Sequence, residues 1–192
     1  MLYFKVVRRW WAVPGAVVVL GMVCWAMGGA EVPVPSFLGG VATVRVRYFA
    51  PLLVVIAVLY CLERRLPAAE STAVARIQLL DHMAVAGTVL STLVIGLVTA
   101  MEVPRNMMIL LALALVVRRF ANEAAAGGAC LMLLLGTAVL GRAYESTGHM
   151  GARWWALLLH PAGSAMSWAF AGALLAAGLL ISDTKRRGMP MS

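Results

Sequence analysis

The residues of this sequence that could do chemistry are few and widely spaced. Its three histidines, His82, His149 and His160, have no spacing that would bring two of them to one metal ion. The sequence contains no GxSxG, HExxH or GxxxxGK[ST] motif and no CxxC pair. Glu102 and Glu145 fall between apolar segments. We therefore expect no catalytic residue, no cofactor and no metal site, and any ATP-driven task would need a second protein.

The cysteines and two of the arginines have structural interpretations. Cys24, Cys61 and Cys130 each lie in or beside an apolar stretch, which favours buried, unpaired thiols. Arg45 and Arg47 border the second apolar segment and could line a cavity that accepts anions. The sequence favours the alternative, in which both side chains reach lipid headgroups, because residues two apart cannot share one helical face.

The composition points to a membrane. Hydrophobic residues make up 62% of the chain and charged residues 12%, whereas a soluble domain has about 25% charged residues. The net charge of +8 could suggest nucleic acid, but the basic residues are mostly arginines that stand singly or in pairs between apolar stretches. We interpret them as signals of membrane topology and expect no nucleic-acid partner.

We predict an all-α, polytopic integral membrane protein, with residues 1–192 in one transmembrane domain of about six helices. The apolar stretches place these helices at about 12–30, 45–62, 82–100, 103–117, 124–141 and 164–182. Residues 1–11 are basic and aromatic, which is typical of an interfacial helix but equally of a basic flank with an aromatic belt.

The distribution of lysine and arginine predicts the orientation. With a cytoplasmic N-terminus, the cytoplasmic segments hold eleven lysines and arginines and the outer segments hold five. Cytoplasmic segments normally carry this excess. We therefore expect both termini in the cytoplasm of a bacterium, with the chain in the plasma membrane. The sequence EVPRN at 102–106 is predicted to be a tight outer turn between antiparallel helices.

The connection between the second and third helices contains a short amphipathic helix in the sequence AAESTAVARIQLL. Such a helix can insert apolar side chains into a groove of a partner protein, or it can rest on lipid. The residues predicted to contact a partner are Glu70, Arg76, Ile77, Leu79 and Leu80.

Two further segments have a possible functional interpretation. Residues Arg153 to His160 are apolar, too short to span a membrane and headed by Trp154 and Trp155, so we predict a short helix at the outer leaflet, with a plain surface loop as the alternative. The sixth helix carries small residues at intervals of four, which permit close helix contact either inside the protein or, less favoured, between subunits. These residues are Ala165, Ala169, Ala173 and Ala177.

Taken together, the order of these features resembles the membrane subunit of ATP-binding-cassette transporters of the ABC-2 type, in particular short actinobacterial permeases. The resemblance covers nearly the whole chain and rests on LYFKVVRRWW, ERRLPAAESTAVARIQLLDH, PRNMMILLALALVVRRF and WWALLLHPAGSAMSW. It implies that Glu70 to Leu80 form a coupling helix for cytoplasmic ABC ATPase subunits and that Arg153 to His160 form a short outer-leaflet helix. It also implies export of an amphipathic small molecule, lipid or peptide, with a second copy or a sister permease completing the pathway.

Two other functions remain open from the sequence. A substrate-capture subunit of an energy-coupling-factor vitamin transporter is similar in size and helix number, and it would show a polar pocket near the outer surface and small-residue helices for docking. A structural membrane partner without a transport role is the second alternative. The missing nucleophiles and carboxylates argue against an intramembrane enzyme.

Overall fold

The computed structural model describes residues 11–35, 41–63, 74–144 and 150–187, with side chains at 11–34, 43–63, 81–142 and 151–182. Residues 1–10, which are all but the last residue of the predicted interfacial segment 1–11, therefore lie outside the described part, and so does Glu70. The described chain is mostly helical. Its helices are α1 Ala12–Met27, α2 Pro51–Glu63, α3 Val74–Val98, α4 Glu102–Phe120, α5 Glu123–Leu140 and α6 Ala165–Arg187.

Four helical stretches are long and apolar enough to cross a membrane. They are Val46–Glu63, Asp81–Val98, Glu123–Leu140 and Ala165–Ser182, each 18 residues long, and a helix of that length rises by roughly 27 Å. The shorter helix α1 is also apolar. The prediction of a multi-helix membrane protein is thus supported, and each predicted helix has its counterpart in the chain.

Helix α4 forms the centre of the bundle. It packs against α2, α3, α5 and α6, while α1 packs against α2 and α3. Every residue from Val103 to Ala112 is buried. The helix begins at Glu102, so EVPRN is the first turn of α4, and the predicted outer turn is limited to residues 99–101.

Helix α3 differs from the prediction in continuity. The sequence analysis predicted a separate amphipathic helix followed by a membrane helix from residue 82, but α3 runs unbroken for 25 residues from Val74 to Val98. No proline or glycine stands between Val74 and Val85 to interrupt it. The backbone of Arg76, Ile77, Leu79 and Leu80 therefore belongs to the same helix as the predicted span.

Two antiparallel hairpins lie at one end of the bundle. Strand β1 (Glu31–Pro35) pairs with β2 (Val41–Arg45), and β3 (Arg142–Tyr144) pairs with β4 (Met150–Ala152). A 3₁₀ turn, Val46–Tyr48, follows β2. We call this the hairpin end. The prolines and glycines of EVPVPSFLGG predicted a loop there, because proline is rare in strands and is tolerated on edges; a two-stranded hairpin consists only of edges.

Candidate functional site

A cavity of about 430 Å³ lies at the hairpin end. Both hairpins, the start of α4 and the connection between α5 and α6 contribute to its wall. Five of its lining side chains are charged: Glu31, Arg45, Arg47, Glu102 and Arg142.

The remaining lining residues give the cavity a mixed character. Thr43 and Tyr48 contribute hydroxyl groups, whereas Ala152, Leu159 and Pro161 form an apolar wall. A few convergent polar groups beside an apolar wall are typical of small-molecule sites.

One ion pair closes the side of the cavity next to α4. Arg47 Nη2 donates to Glu102 Oε1 at 3.2 Å, and the two side chains are only 19% and 13% exposed. The Arg47 Nε is buried and donates to no acceptor among the described residues, while the Arg47 guanidinium carbon lies 5.9 Å from the centre of the Tyr48 ring. Arg47 is therefore fixed in place by Glu102 and Tyr48 and retains an unused donor.

The other charged groups are less constrained. Arg45 Nε lies 3.7 Å from Glu31 Oε1, and both side chains are about half exposed. Among the described carboxylates, none forms an ion pair with Arg142. Arg45 and Arg47 thus line a cavity, which is the interpretation that the sequence analysis held to be the weaker of two. Arg45 is the last residue of strand β2 and Arg47 lies in the turn Val46–Tyr48, so the two residues do not belong to one α-helix and can face the same space.

A buried arginine lies behind the cavity wall. The side chain of Arg105 is completely buried and directs its N–H groups at neutral acceptors. Its Nη1 donates to the Pro161 carbonyl and to Ser167 Oγ, both at 3.1 Å, and its Nη2 donates to the Leu158 carbonyl at 3.1 Å. The remaining bonds, from Nε and Nη2, go to Asn106 Oδ1 at 3.3 and 3.1 Å.

This arrangement holds the connection between α5 and α6 against α4. All five N–H groups of the Arg105 guanidinium have acceptors, so the group is a structural clamp with no free donor for a ligand. Asn106 Nδ2 also donates to the Leu158 carbonyl at 3.1 Å. The sequence analysis counted Arg105 as an outer-loop charge and did not consider Asn106. The adjacent polar pair at the head of the apolar run MMILLALAL was the available signal.

The predicted outer-leaflet helix is a shorter element. Only Leu157–Leu159 form a helical turn, of the 3₁₀ type. Leu158 is buried, because its carbonyl is held by Arg105 and Asn106. Since the clamp draws this loop into the bundle and proline follows at 161, a longer surface helix does not form.

The aromatic residues that head this segment are more exposed. Trp154 is 85% exposed and Trp155 37% exposed. His160 Nε2 lies 3.3 Å from the Arg153 carbonyl. Leu159 lines the cavity, so this segment contributes to its wall.

The predicted partner-binding residues connect to the cavity through α3. Helix α3 begins at Val74 and ends at Val98, four positions before Glu102 in the cavity wall. A β-carbon at Gly96 would lie 2.7 Å from the Cδ and Cγ atoms of Pro104, so α3 and α4 are in close contact at the hairpin end. A displacement of α3 would therefore reach the first turn of α4 directly.

The small residues of α6 lie on two different sides of the helix. Helix α6 packs on α4 through Ser167, Ala171 and Gly178, and a β-carbon at Gly178 would lie 3.2 Å from the Ala112 carbonyl oxygen. The four alanines that were predicted to make an internal helix contact are instead exposed, since they occupy the other side of the helix: Ala165, Ala169, Ala173 and Ala177.

A second cluster closes the opposite end of the bundle. Arg118 Nη2 donates to the Leu62 carbonyl at 2.7 Å, and Arg118 Nε donates to Glu123 Oε1 at 3.2 Å. These bonds join the ends of α2 and α4 to the start of α5. Next to them lies a mostly apolar groove of about 470 Å³ between α2 and α5. The predicted buried thiols are confirmed, since Cys24, Cys61 and Cys130 are free and buried.

No protein-family model, curated protein or solved structure matches this chain.

Proposed function

We propose that this chain is the membrane-spanning subunit of an ATP-driven transporter of the ABC-2 type. The observation that carries this proposal is the course of α3. One unbroken helix extends from the predicted docking residues at 76–80 to Val98, beside the first turn of α4 and the charged cavity. A displacement at one end of a rigid helix also moves its other end. A separate ATPase that drives transport requires such a mechanical connection.

The packing of the bundle also supports a transporter with more than one membrane subunit. The centre is filled by α4, whose residues from Val103 to Ala112 are all buried. Large apolar side chains are exposed on α1, α3 and α6, including Trp25, Leu90 and Phe170. A second copy or a sister permease facing these helices would enclose a pathway between the two subunits, and lipid would cover the rest.

The expected substrate is an amphipathic small molecule, lipid or peptide, moved outward. If the excess of basic residues sets the orientation, the hairpin end faces outward and residues 76–80 face the cytoplasm. ATP hydrolysis then takes place in the partner subunit, and this chain supplies the path and the moving helices.

Purification from the native membrane tests this function. We expect an ABC ATPase to accompany the chain, and Ile77→Asp with Leu80→Asp to release it, because two buried charges at a helix-in-groove contact are costly. The control is Gln78→Asp, which adds a negative charge in the same turn and leaves the apolar residues intact. If no ATPase accompanies the chain, or if the double variant keeps it bound, the chain is a structural membrane partner instead.

A substrate-capture subunit of an energy-coupling-factor transporter is a second candidate, favoured by two observations. The cavity lies within a single copy, at the end predicted to face outward. The four alanines of α6 at intervals of four are exposed and available for docking. The two candidates use different docking surfaces. Ala169→Leu with Ala173→Leu should release the energising protein only if the chain is a capture subunit, whereas the Ile77 and Leu80 substitutions should release it only from a permease.

A further inference from the structure

We propose that the cavity at the hairpin end binds an oxyanion, a carboxylate or phosphate group carried by an amphipathic molecule. The proposal names the ligand class of the site and rests on the proposed transport function only for the onward movement of that ligand. Binding itself requires no ATPase and no second membrane subunit.

Positive charges outnumber negative charges in the cavity lining. Three guanidinium groups and two carboxylates line it. Glu102 is engaged with Arg47 at 3.2 Å, and Glu31 is 3.7 Å from the half-exposed Arg45. Arg142 has no carboxylate partner within the described part of the chain. The lining therefore has a net positive charge.

Arg105 contributes a further positive charge next to the cavity, although its side chain does not line it. It lies one turn after Glu102 in α4, and its described hydrogen bonds all go to neutral groups such as the Pro161 carbonyl and Ser167 Oγ. A neutral acceptor satisfies the N–H groups but does not cancel the charge. Because Arg105 is completely buried, its charge is screened less than that of an exposed arginine. The potential inside the cavity thus favours an anion.

The arginines of the cavity supply hydrogen-bond donors to a ligand. The Arg47 Nε has no acceptor among the described residues, but it is buried and not exposed to the cavity, so it does not count among the donors offered to a ligand. Its neighbours Arg45 and Arg142 present planar guanidinium groups to the same cavity. Carboxylate and phosphate groups present two oxygens that accept parallel N–H bonds from such a fork, whereas a halide ion has a single acceptor atom.

Part of the cavity lining is apolar. Ala152, Leu159 and Pro161 face the same space as the arginines. At about 430 Å³, the cavity is in the usual range of roughly 300–1,000 Å³ for small-molecule sites. A ligand that fills it presents an oxyanion to the arginines and an apolar portion to this wall.

Decyl phosphate and decanoate are suitable probes of the site. The purified full-length chain is reconstituted in nanodiscs of neutral phosphatidylcholine, and each probe is titrated while thermal unfolding is followed. We expect saturable stabilisation by both probes and none by the neutral decyl glucoside. With Arg45→Gln and Arg142→Gln combined, we expect the apparent affinity to fall by at least about ten-fold, since charge-assisted hydrogen bonds are lost.

Arg153→Gln, made together with Arg119→Gln, is the matched control, because it removes the same charge while neither residue is among those that line the cavity. These substitutions should leave probe affinity within about two-fold of the unmodified protein. Equal affinity of the cavity double variant and the unmodified protein would overturn the proposal, as would equal stabilisation by decyl glucoside. If the double variant unfolds too readily to be titrated, Arg142→Lys is used instead. This substitution keeps the positive charge but removes the paired N–H groups of the guanidinium, so the affinity for both probes should fall.

Two sources of the oxyanion are distinguished by the bilayer. If the ligand is a membrane lipid, nanodiscs containing phosphatidylglycerol should stabilise the unmodified chain without any probe, and decyl phosphate should add little. If the ligand is a free solute, phosphatidylglycerol should have no effect and decyl phosphate should bind in either bilayer. Both results support an oxyanion site. Failure of the ATPase to accompany the chain would overturn only the transport function, since these titrations contain no partner.

Discussion

Gly96 of α3 lies against the ring of Pro104 in α4, so closely that a β-carbon at position 96 would stand 2.7 Å from two ring atoms. The contact joins the end of one helix to the first turn of the next, where Glu102 and Arg105 are located. A proline ring cannot rotate away, and glycine provides the required space. Gly96 is thus the point at which the end of α3 contacts the first turn of α4.

Gly96→Ala should lower the thermal stability of the chain. Overpacking costs about 1–3 kcal/mol, which exceeds the gain of roughly 0.5–1 kcal/mol that alanine normally brings to a helix. Gly87→Ala is the control, since it lies in the same helix and its β-carbon would have nothing within 4 Å. Thermal unfolding in nanodiscs should show a lower midpoint for Gly96→Ala and an unchanged or higher one for Gly87→Ala. A midpoint for Gly96→Ala at or above that of Gly87→Ala would contradict the close contact.

Arg105→Met should loosen the connection between α5 and α6. The substitution leaves the buried Asn106 Oδ1 without a donor among the described residues and removes one of two donors from each of the Leu158 and Pro161 carbonyls. A buried acceptor without a donor costs about 1–3 kcal/mol. Limited proteolysis should therefore cut between residues 153 and 164 faster than in the unmodified chain. Arg153→Met, at an exposed position, should leave the rate unchanged, and equal rates for both variants would show that the clamp is unimportant.

Trp154 should report the depth of the same segment. We expect it at the outer membrane interface, because it is 85% exposed and tryptophan prefers the headgroup level. In variants with one remaining tryptophan, quenchers placed shallowly in the bilayer should quench Trp154 strongly. Trp168, whose Nε1 donates to the Ala162 carbonyl at 3.0 Å and which is half-buried, should be quenched less. Stronger quenching of Trp154 by deep quenchers would contradict an interfacial position.

Single cysteines at Ser71 and Ser146 test the orientation. The excess of lysine and arginine predicts that position 71 is cytoplasmic and position 146 is outside. An impermeant thiol reagent added to intact cells should label position 146 only, against a low background because the three native cysteines are buried. Labelling of position 71 from outside, or failure to label 146, would show that the predicted orientation is wrong.

The positions of the helices could be predicted from the sequence because lipid requires long apolar runs. For example, the prediction of 124–141 agrees closely with α5 at Glu123–Leu140, where Asn122 accepts a hydrogen bond from the Ala125 backbone N–H and marks the helix start. The extent of α3 was not predicted. A change from polar to apolar residues at 81–82 suggested two helices, but a change of environment along a helix does not interrupt its hydrogen bonds.

The cavity could be predicted only in part. Arg45 and Arg47 were recognised as potential anion ligands, yet Glu31, Glu102 and Arg142 come from distant segments and meet only through the fold. Arg105 was placed in the short outer turn EVPRN between two antiparallel helices. Its burial depends on acceptors supplied by Leu158, Pro161 and Ser167, more than fifty residues later. No local pattern in a single sequence predicts hydrogen bonds between residues so far apart.

The distance along the chain between Arg105 and its acceptors affects the order in which the protein can be completed during synthesis. When α4 leaves the ribosome, the Leu158 carbonyl and Ser167 hydroxyl have not yet emerged, because they lie 53 and 62 positions after Arg105. Until then the guanidinium must stay in water or at the mouth of the insertion machinery. Nascent chains held at a length at which α4 has emerged from the ribosome but Ser167 has not should therefore crosslink through α4 to the translocon, and released full-length chains should not.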